Sequence, residues 1–596
     1  MTSQIGQVDA RYLSPETPKP YDTNQPLIVR SNKITSYLKS YPFTKLPYPQ
    51  PNQKTTEGSF MFKFSGNRLF QSVYPLNAMV STNCTELNDQ KMVKLPASDV
   101  NTFIELIEEN YRVHFYVDGL PTGEEFTTDD GNNTYILLGS PVGFSKVIDG
   151  QKRYFLYNHL NFNIEYKSLD KNNNTLPPYY VTKVTIEPRS INQERCADKI
   201  NPLELVKDEE NKMLWTYGQS IRYSNTPWED RWNVYYPHSA AIEWSSTAIA
   251  FFITALECAL LGLIMYRIFK NDSIGFVRLG ESGWKSIYAD VFRSPNNFMT
   301  FSVIIGVGMQ IAVASFVLMV FDVAGLLSIA NPGSFELATV LIFAFCGLFS
   351  GYASMRTYIM LGGSRKRHNA ILNAYLVPFV IMILLFISRI QLWSNDYLYQ
   401  PSASEVIFVL SMWLFLSCPL SLLSSYFVNS WPPAEYPFRP NHIPRMIPKA
   451  KWYANHYFHS LVFGFLPFAV IYAQINFIVG PMFYGFHVNN SYDLCIAFIL
   501  LVINVLVLNM LISYYQLSRE DYNWWWRSII GPSCTSIYIF IFLLIYGMPL
   551  ATSGTRFYYF MFCLMVSVMS AFFFSSIGFL GNLWFIKRIY STLHFD

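Results

Sequence analysis

His456 and His459 stand three residues apart, a spacing that would bring two imidazoles to one helix face within reach of a shared metal ion. Zinc takes four ligands, so two histidines alone make a poor site, and packing near a membrane interface is the stronger reading. Glu257 lies in the middle of a long apolar run. A carboxylate at bilayer depth is expensive, so it must be protonated, paired or facing a cavity. Two readings stand for it: a contact for a cation or for another membrane protein, or an acid packed inside a helix bundle. Asp322 falls at the end of the next apolar run, where water reaches it. The chain contains no H-E-x-x-H, no Walker loop and no G-x-S-x-G. These residues point away from an enzyme and call for no metal and no cofactor.

Composition dictates the elements that position such groups. The 596 residues are 51% hydrophobic, 17% aromatic and only 14% charged. Soluble domains carry about 25% charged residues. The deficit is uneven: residues 1–240 hold 25 Lys/Arg and 27 Asp/Glu, and residues 241–596 hold 19 and 14. The first part reads as soluble protein and the second as membrane protein. A net charge of +3 without any basic run excludes nucleic acid as a partner. Nine apolar windows long enough to cross a bilayer fall near 246–266, 299–321, 336–357, 371–393, 404–427, 458–480, 493–515, 529–549 and 557–583. Pro378, Pro419 and Pro467 fall inside them, which neighbouring helices tolerate.

The connections after windows one, three, five, seven and nine hold 17 Lys and Arg, and the opposite connections only Arg389 and Arg556. The positive-inside rule places the 17 in the cytosol. The expected fold is a polytopic α-helical membrane protein with nine transmembrane helices over 241–596. A mainly-β lumenal domain over 1–240 precedes it, and the C-terminus is cytosolic. The first twenty residues have no signal-peptide core, so a signal removed, or a start upstream of this sequence, is expected.

Within 1–240, "YFLYNHLNFNIEY", "YYVTKVTIEP" and "MLWTYGQSIRY" read as strands, and together they predict a sandwich-like domain. A helix is predicted over about 99–110, capped by Ser98 or Asp99. "DDGNNT" and "DKNNNT" read as exposed turns. Asn83, Asn132 and Asn173 begin N-x-S/T sequons on the side that can be glycosylated. Cys84 and Cys196 are the two cysteines here; one bridge between them, or two free buried thiols, fits their number.

"EDYNWWWRS", residues 520–528, puts three tryptophans beside two acids and an arginine. On a helix they fan over about 200°, whereas an aromatic cage needs converging rings. A membrane-surface anchor is therefore expected, with Glu520 and Asp521 pairing with basic residues of adjacent loops. "ESGWKSIYADVFRSP" reads as a segment laid against headgroups, or as a partner site. "NHIPRMIPKAK" is a stiff connector, its Arg445 open to lipid phosphate or a neighbouring loop.

Taken in order, "ESGWKSIYADVFRSP", "GVGMQ", "GYASMRTY", "NHIPRMIP", "LPFAVIYAQ", "EDYNWWWRS" and "KRIYSTLHFD" resemble the transmembrane 9 superfamily, also called nonaspanins or the endomembrane protein 70 family. "VDGLP", "YNHLNF", "TIEPRSI" and "WEDRW" extend the resemblance over nearly the whole chain. Its signature residues on the cytosolic side are Gly283, Trp284, Lys285, Asp290, Phe292, Arg293, Pro444, Arg445, Pro448, Glu520, Asp521, Tyr522, Trp524, Trp526 and Arg527. The resemblance implies nine spans, a lumenal N-terminal domain, and residence in Golgi and endosomal membranes. It also implies a part in sorting and surface delivery of other membrane proteins, with links to adhesion and to nutrient or metal homeostasis, and it brings no enzymatic activity.

Departures from the pattern are informative. Tyr48 and Asn88 stand where relatives have cysteines, which fits the loss of one bridge and leaves Cys84 with Cys196. Val507 replaces an acid found in many relatives, and Glu257 stands where they are small or apolar. The tail His594, Phe595, Asp596 has histidine where the family's coat-binding ending has lysine. The expected function is non-enzymatic sorting, trafficking or surface delivery of membrane-protein cargo, with a vesicle coat as a further partner. The alternative is a transporter or channel for a small solute or metal ion. That alternative needs Glu257, Gln310, Gln474, Asn476, Asn504 and Asn509 to converge at mid-bilayer.

Overall fold

A computed structural model of the chain describes residues 19–36, 39–43, 48, 56–57, 69–87, 92–127, 134–168, 178–192, 202–232, 234–235, 244–272, 283–324, 326–327, 334–394, 403–432, 436–438, 440–448, 456–484, 491–549 and 556–591. The predicted turn at 170–175, residues 129–133 of the predicted turn at 129–134, and the proposed domain boundary near 240 lie outside these, and Thr134 opens the strand Thr134–Leu138.

Strands dominate the N-terminal part. Pro26–Ser36 lies between Leu69–Asn77 and Arg112–Val117, antiparallel to both. In a second sheet, His159–Ser168 runs antiparallel to Tyr179–Arg189 and parallel to Thr216–Tyr223. Alternate side chains of both sheets enter one core, the consequence of a period-2 pattern with one apolar face. Tyr74 and Phe115 of the first sheet meet Phe162 of the second, with ring centroids 5.4 and 6.2 Å apart. The predicted helix spans Ala97–Glu108 and buries Val100, Phe103, Ile104, Leu106 and Ile107. It starts after Pro96, whose carbonyl accepts from the amides of Asp99 and Val100, and neither Ser98 nor Asp99 caps it.

The family-like phrases of this domain are its fasteners. Asp118 of "VDGLP" accepts from the Tyr21 hydroxyl at 2.7 Å and pairs with Arg231 of "WEDRW" at 3.0 Å. Burial pushes the Asp118 carboxyl up, and the Tyr21 hydroxyl and Arg231 oppose that shift. The Asn158 side chain donates to the Ile191 and Leu214 carbonyls and accepts from the Ile191 amide. His159, buried beside Thr216, is pushed down to about 4 by desolvation and is neutral in the fold near pH 7.

Among the described residues, nine helices are long and apolar enough to cross a membrane. They are Thr247–Ile268, Phe298–Val323, Phe335–Met360, Lys366–Leu384, Val406–Asn429, Phe458–Asn476, Tyr492–Ser518, Trp524–Gly547 and Arg556–Ser591, called spans one to nine below. Each overlaps the window read from hydropathy.

Several spans are interrupted, and side chains of neighbouring spans repair them. Span three is two helices, Ser334–Phe345 and Gly347–Met360. It faces a π turn, Trp413–Ser417, in span five, and a Cβ on Gly347 would lie 2.7 Å from the Ser417 carbonyl. Beside this break Gln310 of span two donates to the Phe343 carbonyl at 2.9 Å. Pro378 has no N–H, so the Ala374 carbonyl one turn earlier lacks its helical donor. The Cys418 thiol donates to that carbonyl at 3.3 Å. Pro532 likewise frees the Ser528 carbonyl, and the Asn509 amide takes it at 3.0 Å. In a bilayer core without water, each such repair replaces a bond that nothing else could make.

Candidate functional site

The signature residues, far apart in the chain, meet at the basic end of the bundle in one cap, with Trp524 and Phe292 buried within it and the connector of Arg445 exposed. Glu520 is its hub. It sits in the left-handed region at φ 62°, uncommon for a residue with a Cβ, where span seven ends. One carboxylate oxygen accepts from the Gly283 amide at 3.1 Å and the other from Arg445 at 2.7 Å. Arg445 also donates to the Ser286 carbonyl at 3.1 Å. Gly283 itself holds φ 97°, a conformation that favours glycine.

Around this hub the remaining connections close. Arg293 donates to Asp290 at 2.6 Å and to the Asn441 carbonyl at 2.7 Å. Phe292 stacks on Tyr436 at 4.8 Å. The Lys285 ammonium lies 5.8 Å from the Trp284 ring, and the Trp284 carbonyl accepts from the Tyr590 hydroxyl at 2.7 Å. Tyr522 packs against the same cluster, and Asp521 pairs with Arg527. Pro444 and Pro448 flank Arg445 in a connector with no helix or strand. The cap thus ties the connections between spans one and two, five and six, and seven and eight to the end of span nine.

Two expectations are corrected here. Trp524 and Trp525 are 0% and 2% exposed, within the protein rather than at a membrane surface. Their rings stack at 4.0 Å instead of fanning apart, because Trp524 is the first residue of its helix. The Trp524 and Trp526 N–H groups donate to the carbonyls of Val291 and Asn296 at 2.8 and 2.9 Å. Similarly, "ESGWKSIYADVFRSP" is not laid against headgroups, since Ile287, Val291 and Phe292 are buried among spans seven, eight and nine. An indole that finds a carbonyl and an aromatic wall inside the protein gains more than at a wet interface.

The mid-bilayer polar groups scatter. Glu257 is buried, and one of its oxygens accepts from Asn504 of span seven at 2.8 Å. Its other oxygen and the Asn504 carbonyl oxygen have no partner among the described residues. Gln310 and Asn509 serve the helix breaks in other places. Gln474 is buried with both side-chain polar atoms unpartnered, and Asn476 is exposed. Asp322 lies in the last turn of span two and has a partner. His459 stacks on Tyr515 at 5.4 Å, and the His456 side chain lies outside the described residues. No group of three His, Cys, Asp or Glu suited to a metal occurs among the described residues.

One seam escaped sequence reading. Asn369 donates to Ser354 and accepts from Ser302, while Asn373 donates to Ser350 and Ser421, joining spans two to five. The signal was present as serines 350 and 354, serines 417, 421 and 425, and asparagines 369 and 373, each set at four-residue spacing on one helix face. Of the remaining candidates, Asn83 is exposed in the strand Thr82–Glu86 and Cys84 is disulfide-bonded. Cys196, Asn132, Asn173, His594, Phe595 and Asp596 lie outside the described residues.

A β-rich domain followed by nine spanning helices, with three connections and the end of span nine locked in one cap, defines a polytopic membrane protein. The sequence model described as Endomembrane protein 70 matches residues 40–557. The chain is 41% identical to "Putative phagocytic receptor 1c" of Dictyostelium discoideum, over 99% of this chain and 97% of that protein. It is 28% identical to "Transmembrane 9 superfamily member 10" of Arabidopsis thaliana, over 98% of this chain and 96% of that protein. Against "Transmembrane 9 superfamily member 4" of Homo sapiens it is 26% identical, over 100% and 98%. No solved structure matches. The chain belongs to the endomembrane protein 70, or transmembrane 9, family.

Proposed function

We propose that this protein acts without catalysis in the sorting, trafficking or surface delivery of other membrane proteins in the Golgi and endosomal system. Its N-terminal domain is lumenal and its C-terminus cytosolic in this reading. The observation that carries it is the outer surface of the bundle. Phe252 of span one and Phe415 and Tyr426 of span five are 70%, 75% and 73% exposed, while Gln310, the Glu257–Asn504 pair and Asn509 serve separate helix contacts. Such a bundle offers helix-contact surface rather than a polar path. A relative named as a phagocytic receptor is compatible with work on surface proteins. Photo-crosslinkers at Phe252 and Phe415 should capture other membrane proteins, whereas one at the buried Phe574 should not; equal labelling at all three sites would defeat the reading.

Orientation has its own test. Asn132 and Asn173 are expected to carry glycans and Asn271 and Asn489 none, read by glycosidase shifts on Asn→Gln variants; a glycan on Asn271 inverts the topology. The tail is expected to bind coat weakly, because His594, with an ordinary pKa near 6.5, is mostly neutral where lysine would be charged. His594→Lys should strengthen coat pull-down and move the protein toward the Golgi.

A further inference from the structure

Spans one and seven run side by side from the end of the bundle opposite the cap, and side-chain hydrogen bonds join them at two levels. At that end the Thr247 hydroxyl donates to Asp493 at 2.7 Å. Further along span one, roughly 15 Å deeper at 1.5 Å per residue, Glu257 accepts from Asn504 at 2.8 Å. The buried face of span one between these levels is Thr247, Ala250, Thr254 and Glu257, recurring at helical spacing. Beyond Glu257 the same face continues toward the cap as Leu261, Ile264 and Ile268. Polar side chains thus enter from one end, reach mid-bilayer and stop.

Glu257 and Asn504 are 6% and 0% exposed. Each keeps one oxygen without a hydrogen-bond partner among the described residues, Oε1 of the acid and Oδ1 of the amide. Both orphans are acceptors, so neither satisfies the other. One proton on Oε1 changes that, because the acid then donates to the amide oxygen while still accepting the amide N–H, which closes a ring of two hydrogen bonds. A divalent cation would need more oxygens than this pair supplies. No other charge competes for the position. Between Asp493 at one end and Arg267 and Arg519 at the other, spans one, six and seven carry no charged side chain but Glu257. Cys258 and Tyr472 are exposed, Cys495 is close to Asp493 in sequence, and His459 stacks on Tyr515 at the cap end.

We infer that Glu257 and Asn504 form a proton-binding site at mid-bilayer, loaded along the Thr247–Thr254 face from the end opposite the cap. The proton sits on Oε1 and is shared with the Asn504 carbonyl oxygen, and the apolar face beyond gives it no onward route along span one. At this level the two spans are held by two bonds when the proton is bound and by one when it is not.

The test uses the full-length protein in nanodiscs. Its infrared spectrum should contain a protonated-carboxyl C=O band that Glu257→Gln removes and that Asn504→Leu moves to higher frequency, since the acid then loses its ring. Dicyclohexylcarbodiimide, which adds to a protonated carboxyl and enters from lipid, should label Glu257, read by peptide mass spectrometry. On the alkaline side of the titration, labelling should fall roughly tenfold per pH unit, as the protonated fraction of a single group does. Thr254→Val should slow exchange of the band in deuterium oxide. A band absent at every pH, or unmoved in Asn504→Leu, overturns the site. Should Asn504→Leu fail to fold, the wild-type protein decides alone, and labelling independent of pH overturns the site. Protection from labelling by sodium at fixed pH shows a cation site and overturns the proton. Exchange unaltered by Thr254→Val overturns the route.

Discussion

Two polar regions inside the membrane bundle behave in opposite ways. Between spans two and five, asparagines and serines exchange bonds until nearly every polar atom has a partner; the Asn373 carbonyl oxygen, the exception, rests against Gly306. Between spans one and seven, Glu257 and Asn504 share a single bond and leave two acceptor oxygens without a hydrogen-bond partner among the described residues. A closed network rigidifies; a half-satisfied one in a low dielectric is costly and poised to take a proton, a water or an ion. The difference teaches where this bundle is glued and where it stays chemically open.

The glue should break most sharply at Gly351. A Cβ there would lie 2.1 Å from the Ser421 carbonyl oxygen, so Gly351→Val must separate spans three and five. Overpacking of this kind costs about 3 kcal/mol or more. Loss of the monodisperse peak on size exclusion after mild heating is expected, and an unaltered peak would mean the seam is slack.

At the open pair, Glu257→Lys sets a cation at bilayer depth beside Asn504, at a cost of about 3 kcal/mol. Poor expression and mislocalisation should follow, while Glu257→Gln should express and localise normally. A well-behaved lysine variant would place this residue in contact with water.

Asn509→Leu should have the smallest effect, about 1 kcal/mol, the worth of one interhelical bond in lipid. It orphans the Ser528 carbonyl freed by Pro532. A double variant that also replaces Pro532 with alanine should recover the thermal stability, because the restored N–H satisfies Ser528 within its own helix; failure to recover would show that Asn509 acts otherwise.

Much of this was legible in one dimension. A span is a matter of length and hydropathy, so all nine could be read, as could the strands and the helix at Ala97–Glu108. The tryptophans were misplaced because a Trp-rich turn reads the same whether water, lipid or protein covers it. What covers Trp524 is Val291, 233 residues earlier, and what holds Trp284 is Tyr590, 306 residues later. Gln310 and Asn509 invited a transport reading because a polar residue in an apolar run carries no label for its partner.

By itself, then, the sequence determined the number and position of the membrane helices, the β character of the N-terminal domain and the family, since each follows from local pattern or ordered phrases. Only the tertiary structure decided which carbonyl each buried amide repairs, that fifteen signature residues converge on one cap, and that Glu257 meets Asn504. Hydrophobic burial is non-directional and can be summed along a chain, whereas a hydrogen bond inside a membrane is decided by which atom lies within about 3 Å.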